Sequence, residues 1–289
     1  MEVVHTPEAL ADVPVGRLVF VPTMGALHAG HLSLVDRGRA LGDVVVSIFV
    51  NPTQFGPGED FEAYPRNLDR DLALLEPLGV KAVFVPSVEQ MYGRPDGVSV
   101  QPGHRAAGLC GGGRPGHFAG VLTVVAKLFG LVRPEVAVFG RKDAQQCLVI
   151  DQMVRELHLP VALIDAPTTR ETDGLAMSSR NAYLDPGERA RALGLHRALA
   201  AGRALLADGQ RNRASLVEAM MTELAAWTDP EYAEVRRVPD LECDDTVTGR
   251  VLLAVAARVG RTRLIDNFVL DLEPGGVTDA PLLDYGSMA

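Results

Sequence analysis

Residues 17–50 read RLVFVPTMGALHAGHLSLVDRGRALGDVVVSIFV, and the order of patterns in this stretch decides the fold. Arg17–Val21 is a short β-rich run that ends in the turn residues Pro22-Thr23-Met24-Gly25. From about Leu27 to Leu41 the residues Leu27, Leu34, Val35, Gly38 and Leu41 recur near one face of a helix. Val44–Val50 is then almost continuously apolar, the pattern of a strand buried on both faces of a parallel sheet. Strand, helix and strand in that order make a βαβ unit, whose crossover is long enough to hold a helix. The rhythm continues outward. A turn-rich loop, Asn51–Asp60, leads to a helix over Asn67–Leu78, with Leu68, Leu72 and Leu75 at helical spacing, and to a strand over Val80–Val85. Phe118–Val132 and Asp143–His158 read as helices, and Val136–Gly140 and Val161–Ala166 as strands. The expectation is an α/β protein built on a doubly wound parallel sheet.

The pattern changes after Thr168. Asp185-Pro186-Gly187-Glu188 is a helix start, with Asp as N-cap, Pro at the first position and Glu three residues on. A helix over Arg189–Asp208 follows, then one near Ala214–Thr228, then short strands around Glu231–Val238, Val251–Val255 and Thr262–Asn267. This predicts a larger domain over residues 1–168 and a smaller α+β domain over residues 169–289.

The chain has 289 residues, with 28 Lys+Arg against 37 Asp+Glu and a formal net charge of −9. That balance excludes an electrostatic nucleic-acid binder, which needs a basic face. No apolar run reaches the roughly 18 residues of a membrane span. Glu2, Glu8 and Asp12 precede any apolar run, unlike a secretory signal, so a cytoplasmic protein is expected. Cys110, Cys147 and Cys243 form no CxxC pair, which argues against a disulfide framework or a thiolate zinc site. Only Lys81, Lys127 and Lys142 are lysine, so a compact ammonium is rare in this chain.

Four segments carry candidate chemistry. In Met24–His31 the turn after a strand opens a helix bearing His28 and His31 at i and i+3, near its positive end. Free backbone N–H groups and Gly30 suit a polyphosphate there, and imidazoles can donate to phosphate oxygens. Two surface histidines are the plainer alternative, and a zinc reading lacks a third ligand. In Gly140–Gln146 another strand ends and another helix opens. Carboxyl ends of strands are where parallel sheets collect ligands. Lys142 there suits a phosphate, Asp143 ribose hydroxyls and Gln146 the same crevice; a solvated lysine and an ordinary N-terminal acid remain the alternative. Met177-Ser178-Ser179-Arg180 offers hydroxyls and a guanidinium in a loop, the parts of a mobile phosphate clamp. Asn51 and Gln54 are neutral amides past the Val44–Val50 strand, able to hold a carboxylate without ion-pairing it, or else simply to cap a turn. Gly111-x-Gly113-x-x-Gly116 matches a dinucleotide fingerprint, but no strand leads into it. It reads as a flexible glycine loop.

Taken together, VPTMGALHAGHLSLV at 21–35, SIFVNPTQF at 47–55, DFEAYPRNLDRD at 60–71, RPGHFAGVLTVVAKLF at 114–129, VFGRKDAQQ at 138–146, DGLAMSSRNAYL at 173–184 and LLAVAARVGRTRLIDN at 252–267 resemble the pantothenate synthetase (pantoate–β-alanine ligase) family of the HIGH-type nucleotidyltransferase superfamily. The resemblance implies a Rossmann-like first domain, a smaller C-terminal lid domain and a homodimer. It implies the condensation of pantoate with β-alanine, driven by ATP and magnesium, through a pantoyl adenylate to pantothenate, AMP and pyrophosphate. Carried over by position, Met24, Gly25, His28, Gly30 and His31 line the ATP site, with His28 as proton donor. Gly140, Lys142 and Asp143 contact ribose and phosphate, and Thr169 and Met177 meet adenine. Ser178, Ser179 and Arg180 form a KMSKS-like clamp. Gln54, Gln146 and Asn51 hold pantoate and β-alanine, and Asp71 is the metal ligand. Three positions depart from the family pattern: Arg141 and Cys110 stand where an acidic residue is usual, and Arg70 interrupts the acidic pair Asp69 and Asp71. Two other readings stay open: an adenylyltransferase that stops after nucleotidyl transfer, and a nucleotide-binding regulator without turnover.

Overall fold

The computed structural model describes residues 1–94 and 97–283. The chain divides into two compact units. Among the described residues, the first contains Met1–Gly140 and Val149–Ala166, and the second contains Arg141–Leu148 and residues 167–283.

In chain order the first part holds β1 (Glu2–Val4), α1 (Pro7–Ala11), β2 (Leu18–Thr23), α2 (Ala29–Arg39), β3 (Asp43–Ile48), α3 (Leu68–Leu75) and β4 (Ala82–Phe84). There follow α4 (Val88–Tyr92), α5 (Leu109–Gly113), α6 (His117–Val132), β5 (Val136–Gly140), α7 (Ala144–Glu156) and β6 (Ala162–Ala166). The six strands form one sheet in the order β1-β4-β3-β2-β5-β6, and every pairing is parallel. Side chains alternate across it. Val19, Val21, Val44 and Val46 face Leu34 and Val35 of α2 in one buried cluster. Phe20, on the other face, meets Phe129 of α6 edge-on at 6.5 Å. Helices therefore cover both faces, which is why β3 is buried over nearly its whole length. The sheet grows outward from β2 in both directions, so the connections reverse between β2 and β5. At such a reversal the loops leaving the carboxyl ends part and leave a crevice.

Several boundaries differ from the sequence reading. The helix expected from Leu27 begins at Ala29, because Ala26 is left-handed (φ 51°) and His28 is extended. The glycine loop is instead the one-turn helix α5, held by burial of Leu109 and Cys110, a case of packing overriding propensity. β1, α1 and α4 have three to five residues, too few for periodicity to reveal.

The second unit contains α8 (Pro186–Ala207), α9 (Arg213–Ala225), β7 (Asp229–Arg237), β8 (Gly249–Val259), β9 (Thr262–Glu273) and β10 (Gly276–Asp279). α8 starts with the expected capping box: Asp185 Oδ1 accepts from Glu188 N–H and Glu188 Oε2 accepts from Asp185 N–H. Its strands form an antiparallel sheet in the order β10-β9-β8-β7. Leu195, Leu199 and Leu206 of α8 and Leu216, Met220 and Leu224 of α9 pack with Leu253, Val255 and Leu270 of the sheet in one core. β9 runs past the expected Asn267 to Glu273 because β8 pairs with it as far as Leu272 and β10, whose polar sequence gives no strand signal, pairs with it from Leu270 to Glu273.

Candidate active site

The first unit contributes the loop after β2 and the turn after β3, which leave adjacent strands at the same edge of the sheet. Thr23 closes β2. Its hydroxyl donates to Ser47 O at 2.7 Å and accepts from Gly25 N–H at 3.2 Å. Gly25 (φ 78°) and Ala26 (φ 51°) are both left-handed. For Ala26 that conformation costs about 1–2 kcal/mol. What holds it is Asp71 at the start of α3, only 1% exposed. Asp71 Oδ2 accepts from Ala26 N–H at 2.9 Å and Oδ1 from Leu27 N–H at 2.8 Å. Hydrogen bonds to a charged acceptor contribute about 1.5–3 kcal/mol each, enough to offset the strain.

This arrangement corrects two expectations. The backbone N–H groups of Ala26 and Leu27 are not available to phosphate, because they bind a buried carboxylate. Asp71 does not fit as a magnesium ligand, because both its oxygens anchor the loop. Among the described residues no cluster of three or more His, Cys, Asp or Glu side chains could hold a metal ion.

His28 is the N-cap of α2 rather than part of it. Its Nδ1 accepts from Gly30 N–H at 3.1 Å. A neutral imidazole whose Nδ1 accepts carries its proton on Nε2, so that nitrogen is the donor of His28. His31 lies beside it, with ring centroids 4.1 Å apart.

Asn51 follows β3 and is also 1% exposed. Its Nδ2 donates to Gln54 Oε1 at 3.0 Å and to Gly120 O at 3.2 Å. Its Oδ1 accepts from Thr53 Oγ1 at 2.9 Å and from the Tyr92 hydroxyl at 2.5 Å. Burial raises the Tyr92 phenol above its usual pKa despite these partners, so it remains a donor. Asn51 is thus saturated and enclosed. Through its amide nitrogen it orients Gln54. With Oε1 engaged, Gln54 Nε2 donates to Met24 Sδ at 3.1 Å. The turn approaches α6 closely: a Cβ on Gly120 would lie 2.2 Å from Thr53 O.

Sequence reading missed a second support of this turn. Arg114 donates to Gln54 O at 3.2 Å and pairs with Glu59 at 2.5 Å. His117 Nδ1 lies 2.8 Å from the same carbonyl. Burial raises the Glu59 carboxyl, but the hydrogen bonds and charge of Arg114 outweigh it and leave its pKa below the ordinary value. The available signal was the segment RPGHFAG, which carried the resemblance without a role attached.

The second unit holds the other candidates. Arg141–Asp143 is a 3₁₀ turn leading into α7. Lys142 is half-buried and Asp143 exposed. Of the two glutamines, Gln145 is buried and Gln146 half-buried, so only Gln146 retains access to solvent. Thr169 and Met177 flank a narrow loop: Met177 N–H donates to Thr169 O at 3.0 Å, and Arg170 bridges Ala176. Ser178 then caps a second 3₁₀ turn, Ser179–Tyr183, accepting from Arg180 N–H at 3.3 Å. Outside the turn, Arg189 of α8 binds both Glu171 and Asp173, with 2.8 Å to the latter.

Comparison with known proteins gives one consistent result. The family model for pantoate–β-alanine ligase matches residues 2–269. A pantothenate synthetase from Carboxydothermus hydrogenoformans is 52% identical over 265 residues, covering 89% of this chain and 93% of that protein. One from Moorella thermoacetica is 53% identical over 255 residues, covering 87% and 90%. The crystal structure of pantothenate synthetase from Thermus thermophilus superposes with a TM-score of 0.90 at 46% identity, covering 95% of this chain and 100% of that one. A pantoate–β-alanine ligase from Francisella tularensis, complexed with β,γ-ATP and β-alanine, gives 0.75 at 32% identity, covering 93% and 97%. On the strength of these matches across both units, the chain belongs to the pantoate–β-alanine ligase family.

Proposed function

We propose that this chain joins pantoate to β-alanine, with ATP cleaved to AMP and pyrophosphate. A pantoate carboxylate oxygen attacks the α-phosphorus, the bond to pyrophosphate breaks, and pantoyl adenylate forms. The β-alanine amine then attacks the acyl carbon, AMP leaves with the oxygen that attacked, and the amine proton is released.

The observation that carries this reading is the pairing, in the first unit, of a neutral amide donor with an imidazole donor on neighbouring strand ends. Gln54, its Oε1 held by Asn51, offers N–H donors to a carboxylate without neutralising it, so the oxygen stays nucleophilic. His28, its Nδ1 engaged by the helix, offers Nε2–H to phosphate oxygens as they gain charge. His31, Met24, Gly25 and Gly30 complete that wall. On the second unit, Lys142, Ser178, Ser179 and Arg180 take the phosphates; Asp143, Thr169 and Met177 take the nucleoside together with Gly140, the last residue of β5 in the first unit; and Gln146 takes pantoate. Positioning and fixed charge supply most of the acceleration. A mixed anhydride hydrolyses in water, which is the reason to assign the second unit the part of a lid.

Magnesium enters this reading as an ion that would arrive with the nucleotide and offset the charge of its phosphates. A cytoplasmic homodimer belongs to the same proposal; its support is the family resemblance, and light scattering in solution tests the dimer. Among the described residues no helix is long and apolar enough to cross a membrane. An assay for AMP with each substrate omitted in turn tests the function. AMP release that needs both pantoate and β-alanine supports it. AMP release without an amine, or a dinucleotide product, overturns it.

A further inference from the structure

Two adjacent residues of β9, far in sequence from every candidate above, converge on the second unit's two nucleotide segments. Asp266 is 3% exposed and Asn267 6%, an unusual polar pair inside a strand. Successive side chains point to opposite faces of a sheet, so each residue serves one face. On one face Asn267 Nδ2 donates to two carbonyls, Arg141 O at 3.0 Å and Lys142 O at 2.8 Å. Two carbonyl partners can be met only by the amide nitrogen. On the other face Asp266 receives Arg170 in a fork, at 2.7 and 2.9 Å. Arg170 also donates to Gly174 O at 3.0 Å and Asn267 O at 3.2 Å, and its guanidinium lies 5.0 Å from the centre of the Phe268 ring. The fork sets the base of the loop whose far strand leads directly into Met177–Arg180. Asp266 Oδ1 further accepts from Asn267 N–H at 2.8 Å, which ties the two grips together.

The energetics argue against mere packing. Asn267 Oδ1 is buried and has no hydrogen-bond partner among the described residues. An apolar residue at this position avoids that penalty. What it lacks is the pair of N–H donors that fixes the Arg141–Lys142 backbone.

We infer that Asp266 and Asn267 are positioning residues for the nucleotide, setting the spacing between the Lys142 turn and the Ser178–Arg180 clamp within the second unit. The inference rests on the assignment of those two segments to ATP. Asn267 acts through the Lys142 backbone and Asp266 through Arg170; neither is a catalytic residue.

The test compares the intact chain with Asn267→Ala and with Asn267→Asp, which keeps the shape but removes both donors. Calorimetric titration with ATP and steady-state kinetics are read together. Both variants are expected to weaken ATP binding and raise its KM by about ten- to a hundredfold, with the pantoate and β-alanine KM values changed less than about twofold. On a Lys142→Ala background the same substitution is expected to add less than about twofold, because the residue it positions is already missing. ATP affinity unchanged in whichever variant folds, or the full effect persisting without Lys142, overturns the inference. Because ATP affinity is read directly, this outcome is decided even if the unaltered chain makes no pantothenate, a result that refutes only the reaction assigned above.

Discussion

Replacing Asp71 by Asn tests how the first nucleotide loop is built. The carboxylate binds two backbone N–H groups, Ala26 at 2.9 Å and Leu27 at 2.8 Å, while 1% exposed. An amide of the same shape keeps one acceptor oxygen and turns an NH₂ toward the other N–H. One charge-assisted bond is lost and the other becomes neutral, a loss of about 3 kcal/mol when each charged bond contributes about 1.5–3 kcal/mol. Ala26 then has less to hold it left-handed, at φ 51°, against a preference of about 1–2 kcal/mol for the right-handed form. The loop relaxes, and His28 moves with it. Hydrogen exchange followed by mass spectrometry over residues 24–31 is the direct assay. Protection at the Ala26 and Leu27 amides should fall about 10²-fold, the equivalent of about 3 kcal/mol. The kcat/KM for ATP should fall by a similar factor, since a displacement of about 1 Å is enough to cause it. Unchanged exchange at these amides, together with a higher magnesium concentration for half-maximal activity, refutes the anchor and returns Asp71 to the metal.

Other substitutions separate structure from chemistry. His28→Asn keeps a good N-cap for α2, so its thermal midpoint should match the unaltered protein while kcat drops about 10²–10³-fold; equal loss of both in a melting and turnover comparison contradicts the separate roles. Gly120→Ala drives a Cβ to 2.2 Å from Thr53 O, so overpacking should cost about 1–3 kcal/mol in urea denaturation and raise the pantoate KM by displacing Gln54. His196 has its pKa lowered from 6.5, first by burial and then by Arg170. Its neutral form therefore contributes stability that is complete above 6.5 and is lost as pH falls through the lowered folded value. Between 6.5 and that lowered value the unaltered protein should lose stability more steeply than His196→Phe, which keeps a ring against Phe268; parallel pH profiles across that window exclude this contribution.

The sheet was legible because its central strands are buried on both faces and so read as apolar runs, Val44–Val50 above all. The start of α8 was legible because Asp185-Pro186-Gly187-Glu188 is a local signal whose partners lie three residues apart. Distance along the chain sets the boundary of what could be read. Asp71 and Ala26 are 45 residues apart, and Asn267 and Lys142 125. No periodicity connects such pairs, so the sequence points Asp71 toward a metal and leaves Asn267 without a role. Asn51 looks like a substrate amide because nothing local distinguishes an amide facing solvent from one facing the Tyr92 hydroxyl. His28 looks helical because Leu27 fits the apolar stripe, whereas the backbone has already turned at Ala26. The site residues were therefore recognisable as types at strand ends, and the groups that hold them came only from packing.

The central claim is that the carboxylate of the hydroxy acid is activated by transfer of an adenylyl group. Pantoate labelled with ¹⁸O in its carboxylate, incubated with ATP and β-alanine, tests it most directly. Attack at the α-phosphorus followed by acyl–oxygen cleavage predicts one ¹⁸O in the phosphate of the AMP formed with each pantothenate. Label appearing in inorganic phosphate with ADP as coproduct, or unlabelled AMP, contradicts it.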